Sequence, residues 1–147
     1  MDLSLFAVAF SDGKAANDGR AALKRLHEEG TIRLVASAIA ARDEDGELVV
    51  RESETPGATA AILGGVVGGL LGLLAGPFGA AMGVAAGAMS GGWFDLNRAE
   101  ERERFNGNVA AKLKEGKTAL LAEIAEPDAA TKSLIREQMT SLGGSLV

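Results

Sequence analysis

The sequence predicts an α+β protein: a ferredoxin-like head into which an apolar, glycine-zippered helical hairpin is inserted. Three observations predict it. The two ends of the chain alternate short apolar runs with amphipathic, charged ones. Between them, the 40 residues from Thr55 to Phe94 carry no charge and hold 12 of the 20 glycines. Within that stretch the glycines recur every four residues. The organisation that follows is residues 1–54 as the first part of the head, 55–94 as the hairpin, and 95–147 as a charged helix and the second part of the head.

The elements read in order. Leu3 to Phe10 is apolar and loosely alternating, a strand. Ser11-Asp12-Gly13 turns the chain, with Ser11 or Asp12 as the cap of a first helix from about Lys14 to Glu29. Its apolar stripe is Ala15, Ala22, Leu23 and Leu26, and Gly30 is its stop. Thr31 to Ala41 and Glu47 to about Ser53 form a hairpin of strands closed by Asp45-Gly46. After the insertion a charged helix runs from about Asp95 to Arg104. Asn106-Gly107-Asn108 interrupts it, and a shorter helix carries Val109 and Leu113 to a stop at Gly116. KTALLAEIA, Lys117 to Ala125, is a fourth strand. Pro127 suits the first turn of a last helix reaching about Leu142, and Gly143-Gly144 frees a short tail. Without the insertion the order is strand, helix, strand, strand, helix, strand, helix, which is the ferredoxin-like plan.

Composition narrows the function classes. The net charge is −5 and the pI about 4.9, with both signs scattered, so the basic footprint required by nucleic acid is missing. There is no cysteine, hence no disulfide, thiolate zinc site or cysteine nucleophile. The opening MDLSLFAVAF has an acid at Asp2 and neither a basic n-region nor a cleavage site, so it reads as a strand rather than a signal peptide.

The insertion carries the main signal. Gly64, Gly68, Gly72 and Gly76 form one four-residue register, and Gly79, Gly83, Gly87 and Gly91 form a second. Such ridges let helix backbones approach closely where no hydrophobic force drives association. Gly76-Pro77 breaks the two arms, Gly57–Ala75 and Phe78–Trp93, and Pro77 and Phe78 form the hairpin tip. A helical glycine costs about 1 kcal/mol against alanine in water. A dozen would cost on the order of 10 kcal/mol, which close packing or an apolar solvent must offset. Each arm holds fewer than 20 residues, roughly 26–29 Å of helix against a hydrocarbon core near 30 Å. Spanning and re-entrant insertion both stay open, as does a dry oligomer core in which the arms pack together. Trp93 and Phe94 stand where an interfacial aromatic anchor is expected, though a core contact with the head suits Trp93 as well.

The segments FAVAFSDGKAANDGRAALKRLHEEG, RDEDGELVV, the glycine block and KEGKTALLAEIAE, taken in this order, resemble a bacterial domain-of-unknown-function family, family 1269. The resemblance covers nearly the whole chain. It implies a membrane association and a stress link, and it implies no catalytic residues. The charged segment ERERFNGN is longer and more helical than the family pattern.

Reactive side chains are sparse. His27 is the one histidine, and beside Glu28 and Glu29 at a helix end it reads as a solvated, protonatable surface residue. Asp43, Asp45 and Glu47 alternate along a tight turn but lack the ligand set of a calcium loop. The glycine block lacks the Gly-Lys-Ser/Thr ending of a phosphate loop. Arg98, Glu101, Arg102, Glu103 and Arg104 form a mixed helical face, with pairs such as Glu100 and Arg104 at a supportive spacing. No catalytic, cofactor or metal site is expected, and no small-molecule substrate is identified.

The function expected is that of a non-enzymatic, membrane-associated protein that self-assembles through the hairpin. Its partners are membrane lipid and further copies of itself, not nucleic acid. Basic residues flank the hairpin on the head side, at Arg51 and Arg98, and the opposite loop has none, which favours a cytoplasmic head. The alternatives are a soluble homo-oligomeric shell that buries the hairpins, and a small-ligand sensor domain.

Overall fold

The computed structural model describes residues 3–44, 48–54, 94–95 and 99–147. The elements are β1 (Leu3–Phe10), α1 (Gly13–Glu28), β2 (Leu34–Arg42), β3 (Leu48–Glu54), β4 (Phe94–Asp95), α2 (Ala99–Lys114), β5 (Thr118–Ala125), α3 (Ala129–Ser141) and β6 (Ser145–Leu146). The fold is α+β, and its long strands fall within a few residues of the predicted ones.

Asp12 caps α1, its Oδ1 accepting from the Ala15 amide at 2.8 Å. The helix closes at Gly30, where φ is +78°. Gly30 donates to the His27 carbonyl and Thr31 to that of Leu26. This pair of bonds satisfies the last carbonyls of a helix and requires a left-handed residue, which glycine adopts without a Cβ penalty. Gly116, at φ +84°, closes α2 by the same pair of bonds onto Leu113 and Lys112.

The four long strands are ordered β3-β2-β5-β1, every neighbour antiparallel. The two-residue strands β4 and β6 both pair with the free edge of β1. The element order is the predicted one, but the sheet departs from the ferredoxin-like plan in two respects. The central strands are β2 and β5, rather than the first and third of the four. The helices also lie on both faces. α1 and α3 bury Leu23, Ile135 and Met139 against Phe6, Val8, Phe10, Leu120 and Ile124. On the other face α2 buries Phe105, Val109 and Leu113 against Leu5, Leu121 and a field of alanines that includes Ala7, Ala36 and Ala38. With both faces covered, β5 is buried at all eight positions, so its sequence is a continuous apolar run instead of an alternating one.

Three further expectations are corrected. The Asn106-Gly107-Asn108 triplet does not break α2, which runs unbroken from Ala99 to Lys114. The burial of Phe105, Val109, Ala110 and Leu113 on the sheet outweighs a propensity cost of about 1 kcal/mol for the glycine. Pro127 lies outside α3, immediately before its cap Asp128. The tail is not free: β6 pairs Leu146 with Val8 and Ser145 with Ala9. Val147 is buried, and its amide donates to the Ala7 carbonyl at 2.9 Å.

Among the described residues no helix is long and apolar enough to cross a membrane. The predicted hairpin arms, Gly57–Ala75 and Phe78–Trp93, lie outside the described residues.

Candidate functional site

One cross-strand row organises the end of the sheet where the insertion joins. Glu54 of β3 stands opposite Ala36 of β2, Ala36 opposite Glu123 of β5, Glu123 opposite Leu5 of β1, and Leu5 opposite Phe94 of β4. Glu54 immediately precedes the insertion and Phe94 is its last residue. The chain therefore leaves and rejoins the sheet at one level, on opposite edges. At about 4.8 Å per strand, four spacings separate these two positions by roughly 19 Å.

Glu123 stands at the centre of this row. It is only 1% exposed, and neither of its carboxylate oxygens has a hydrogen-bond partner among the described residues. Its strand neighbours Leu121 and Ala119 face α2, and period-two alternation puts Glu123 on the same face. Leu5 and Ala36, its cross-strand neighbours, belong to that apolar layer too. Burial without a compensating partner raises the Glu123 carboxyl above the ordinary glutamate range. The helix covering this face brings a second such group: Asn108 is 5% exposed, and neither its Oδ1 nor its Nδ2 is hydrogen-bonded among the described residues. Buried polar groups in folded proteins are nearly always paired, so a buried carboxylate with no partner among the described residues stands apart from the apolar layer around it. Chemically, the layer can hold a proton on a carboxyl or receive a donor.

The opposite end of the sheet carries a shallow cleft of about 240 Å³ between α1 and the β2–β3 hairpin. Gly13, Asn17, Ile39, Ala41, Val49 and Thr118 line it. Its one side-chain amide is engaged, Asn17 Nδ2 donating to the Gly13 carbonyl at 2.9 Å. The adjacent helix start is occupied by its own Asp12 cap, so the cleft is mainly hydrocarbon.

The sequence-predicted residues are distributed as follows. Gly64, Gly68, Gly72, Gly76, Gly79, Gly83, Gly87, Gly91, Pro77, Phe78 and Trp93 lie outside the described residues. The Phe94 backbone is paired with Leu5 in β4. His27 is half-buried rather than solvated, and its Nδ1 accepts from the Leu34 amide at 3.1 Å. His27 is thus a structural acceptor between α1 and β2, where a solvated surface residue was expected. Asp43 is exposed at the end of β2, while Asp45 and Glu47 lie outside the described residues. Among the described residues no group of three or more histidine, cysteine or acidic side chains is placed to hold a metal.

Glu123 was not among the predicted site residues. Its signal is present in KTALLAEIA: a single acid inside a run that is otherwise apolar on both parities. Reading it requires knowing that helices cover both faces.

A family model described as protein of unknown function (DUF1269) matches residues 61–147. The match takes in most of the glycine-rich insertion together with α2, β5, α3 and β6. No curated protein and no solved structure matches the chain.

Proposed function

The chain belongs to the DUF1269 family of proteins of unknown function, and from that premise we propose that it is a non-enzymatic, membrane-associated protein that self-assembles through its glycine-rich insertion. The observation that carries this reading is the uncharged stretch from Thr55 to Phe94 with its two four-residue glycine registers. A stretch of that length and composition is matched to lipid or to a close helix–helix contact, and poorly matched to water. The head supports the reading through its connections. Glu54 and Phe94 occupy one row at one end of the sheet, so the chain departs toward the insertion and comes back on the same side of the head. Arg51 and Arg98 flank the insertion, and the Gly76-Pro77 tip has no basic residue, which favours a cytoplasmic head. In this reading the head sets the lateral spacing of the anchors, and the glycine ridges join neighbouring copies. A stress-linked role accords with the family resemblance.

The test is membrane partition of the expressed full chain by carbonate wash, followed by particle sizing with and without detergent. Retention in washed membranes with release only by detergent is the expected result. Release into plain buffer as a large uniform particle would replace this reading with the soluble shell that buries its hairpins. A monodisperse monomer in plain buffer would remove both.

A further inference from the structure

We infer that Glu123 is a proton-binding site that controls how tightly α2 seats on the sheet, at the end where the inserted segment joins. The inference concerns the head alone and does not rest on membrane insertion.

The geometry sets the problem. Glu123 lies on a central strand whose opposite face is filled by α1 and α3. Among the described residues, the side open to water or a counter-charge is therefore the one that α2 covers. The described layer around it offers neither. β1 and β2 present Leu5 and Ala36, and α2 presents Phe105 and Val109, none of them titratable. The side chains of α2 are described from Arg104 onward, and the charged ones among them lie away from this layer: Arg104 and Lys114 are exposed, and Lys112 is half-exposed, bridging to Glu115 at 3.6 Å. Asn108, the buried polar residue of α2 among those described, is uncharged.

A protonated Glu123 is compatible with this closed layer, because a neutral carboxyl costs far less to bury than a carboxylate. Desolvation raises its affinity for the proton in the same direction. Once the proton leaves, the charge is buried with no partner among the described residues. The accessible relief is for α2 to lift and admit water. The sign follows from linkage. The folded state binds the proton more tightly than the unfolded chain does, so the seating of α2 is strongest below the ordinary glutamate pKa. It weakens as pH rises through the raised one. Because the same row ends at Glu54 and Phe94, loosening α2 changes the part of the head that holds both ends of the insertion.

The experiment uses the full chain, in detergent if it requires it. Infrared difference spectroscopy on the wild type reads the protonation of the buried carboxyl directly. Amide hydrogen exchange, corrected for intrinsic rates, compares α2 with α1 from mildly acidic to mildly alkaline pH. The expected results are a carboxyl that stays protonated above the ordinary glutamate pKa, and α2 exchange that rises about tenfold for each pH unit between the ordinary pKa and the raised one and levels off above it. In Glu123→Gln, α2 should stay protected with no such dependence, and Glu123→Leu serves the same purpose if the glutamine variant does not fold. A Glu123 that ionises at or below the ordinary glutamate pKa in the wild type overturns the inference. So does equal pH dependence in the wild type and the uncharged variant, or a rise in exchange that is as large in α1 as in α2.

Discussion

The Leu34 amide donates to His27 Nδ1 at 3.1 Å, tying the last turn of α1 to the first residue of β2. The loop between them is therefore held at both ends, by this bond and by the paired bonds that close the helix at Gly30. His27→Ala should lower stability by about 1 kcal/mol, the net worth of one such hydrogen bond. Urea denaturation is the check: the midpoint should fall with the slope unchanged. A solvated surface histidine would give no shift.

Gly19 marks the closest approach of α1 to the sheet. A Cβ there would stand 2.8 Å from Cζ of Phe10 and 3.1 Å from Cδ2 of Leu120. Both side chains are fully buried and have no room to retreat. Gly19→Ala gains helix propensity of up to about 1 kcal/mol, but overpacking of a closed core costs about 1–3 kcal/mol, so the net effect is destabilising. Gly144→Ala meets a harder obstacle, with Val8 Cγ1 at 2.5 Å and two ring carbons of Phe10 within 2.9 Å. It should be the more damaging of the two and should dislodge the tail that seats Val147. Thermal unfolding of both variants gives the ranking, and a stabilised Gly19→Ala would contradict the close approach.

These glycines also mark where the sequence was legible. The helix stops at Gly30 and Gly116 were readable, because a glycine after an amphipathic run is local information. The strands were readable as apolar runs. The lateral order of the strands was not, since a ferredoxin-like order and β3-β2-β5-β1 use the same elements in the same sequence. The continuity of α2 was hidden because Asn106-Gly107-Asn108 is locally unfavourable and only packing on the alanine field overrides it. The seated tail was hidden because Gly143-Gly144 reads as a release, whereas Gly144 is needed for a close pass over Phe10. Glu123 was hidden for the related reason that its meaning comes from what covers the strand on either side.

Asp128 provides a pH signature separate from that of Glu123. Its Oδ1 accepts from the Thr131 amide at 2.7 Å at the start of α3. This backbone bond holds its carboxyl below the ordinary aspartate range. The folded-state pKa is depressed, so the cap's contribution is present above the ordinary aspartate pKa and is lost as pH falls through the depressed value. Asparagine caps about as well but does not titrate. Asp128→Asn should therefore match the wild type near neutrality and lose less stability on acidification. Asp128→Ala should be weaker at neutral pH, and denaturation curves of the three chains across the acidic range make the comparison. Glu123 acts in the opposite sense, losing stability as pH rises from the ordinary glutamate pKa through its raised one, so the sign of the pH dependence tells the two residues apart.

The insertion can be tested at two positions inside its glycine registers, one in each. Gly68 and Gly83 each have a glycine four residues before and four residues after. If these ridges are contact surfaces, leucine at both positions forces the helix backbones apart and removes the close packing that offsets the cost of so many glycines. The double variant Gly68→Leu, Gly83→Leu adds apolar area, so membrane retention should persist or increase while the assembled size falls. That split separates the anchor from the zipper: loss of both would mean the segment needs its close packing to insert at all. Unchanged particle size in detergent, measured by light scattering, would show that the glycine registers do not hold copies together. Because the chain has no cysteine, a chain carrying both Gly68→Cys and Gly83→Cys forms disulfides at these positions alone. Cross-linking between copies, rather than within one, is the result the assembly reading requires.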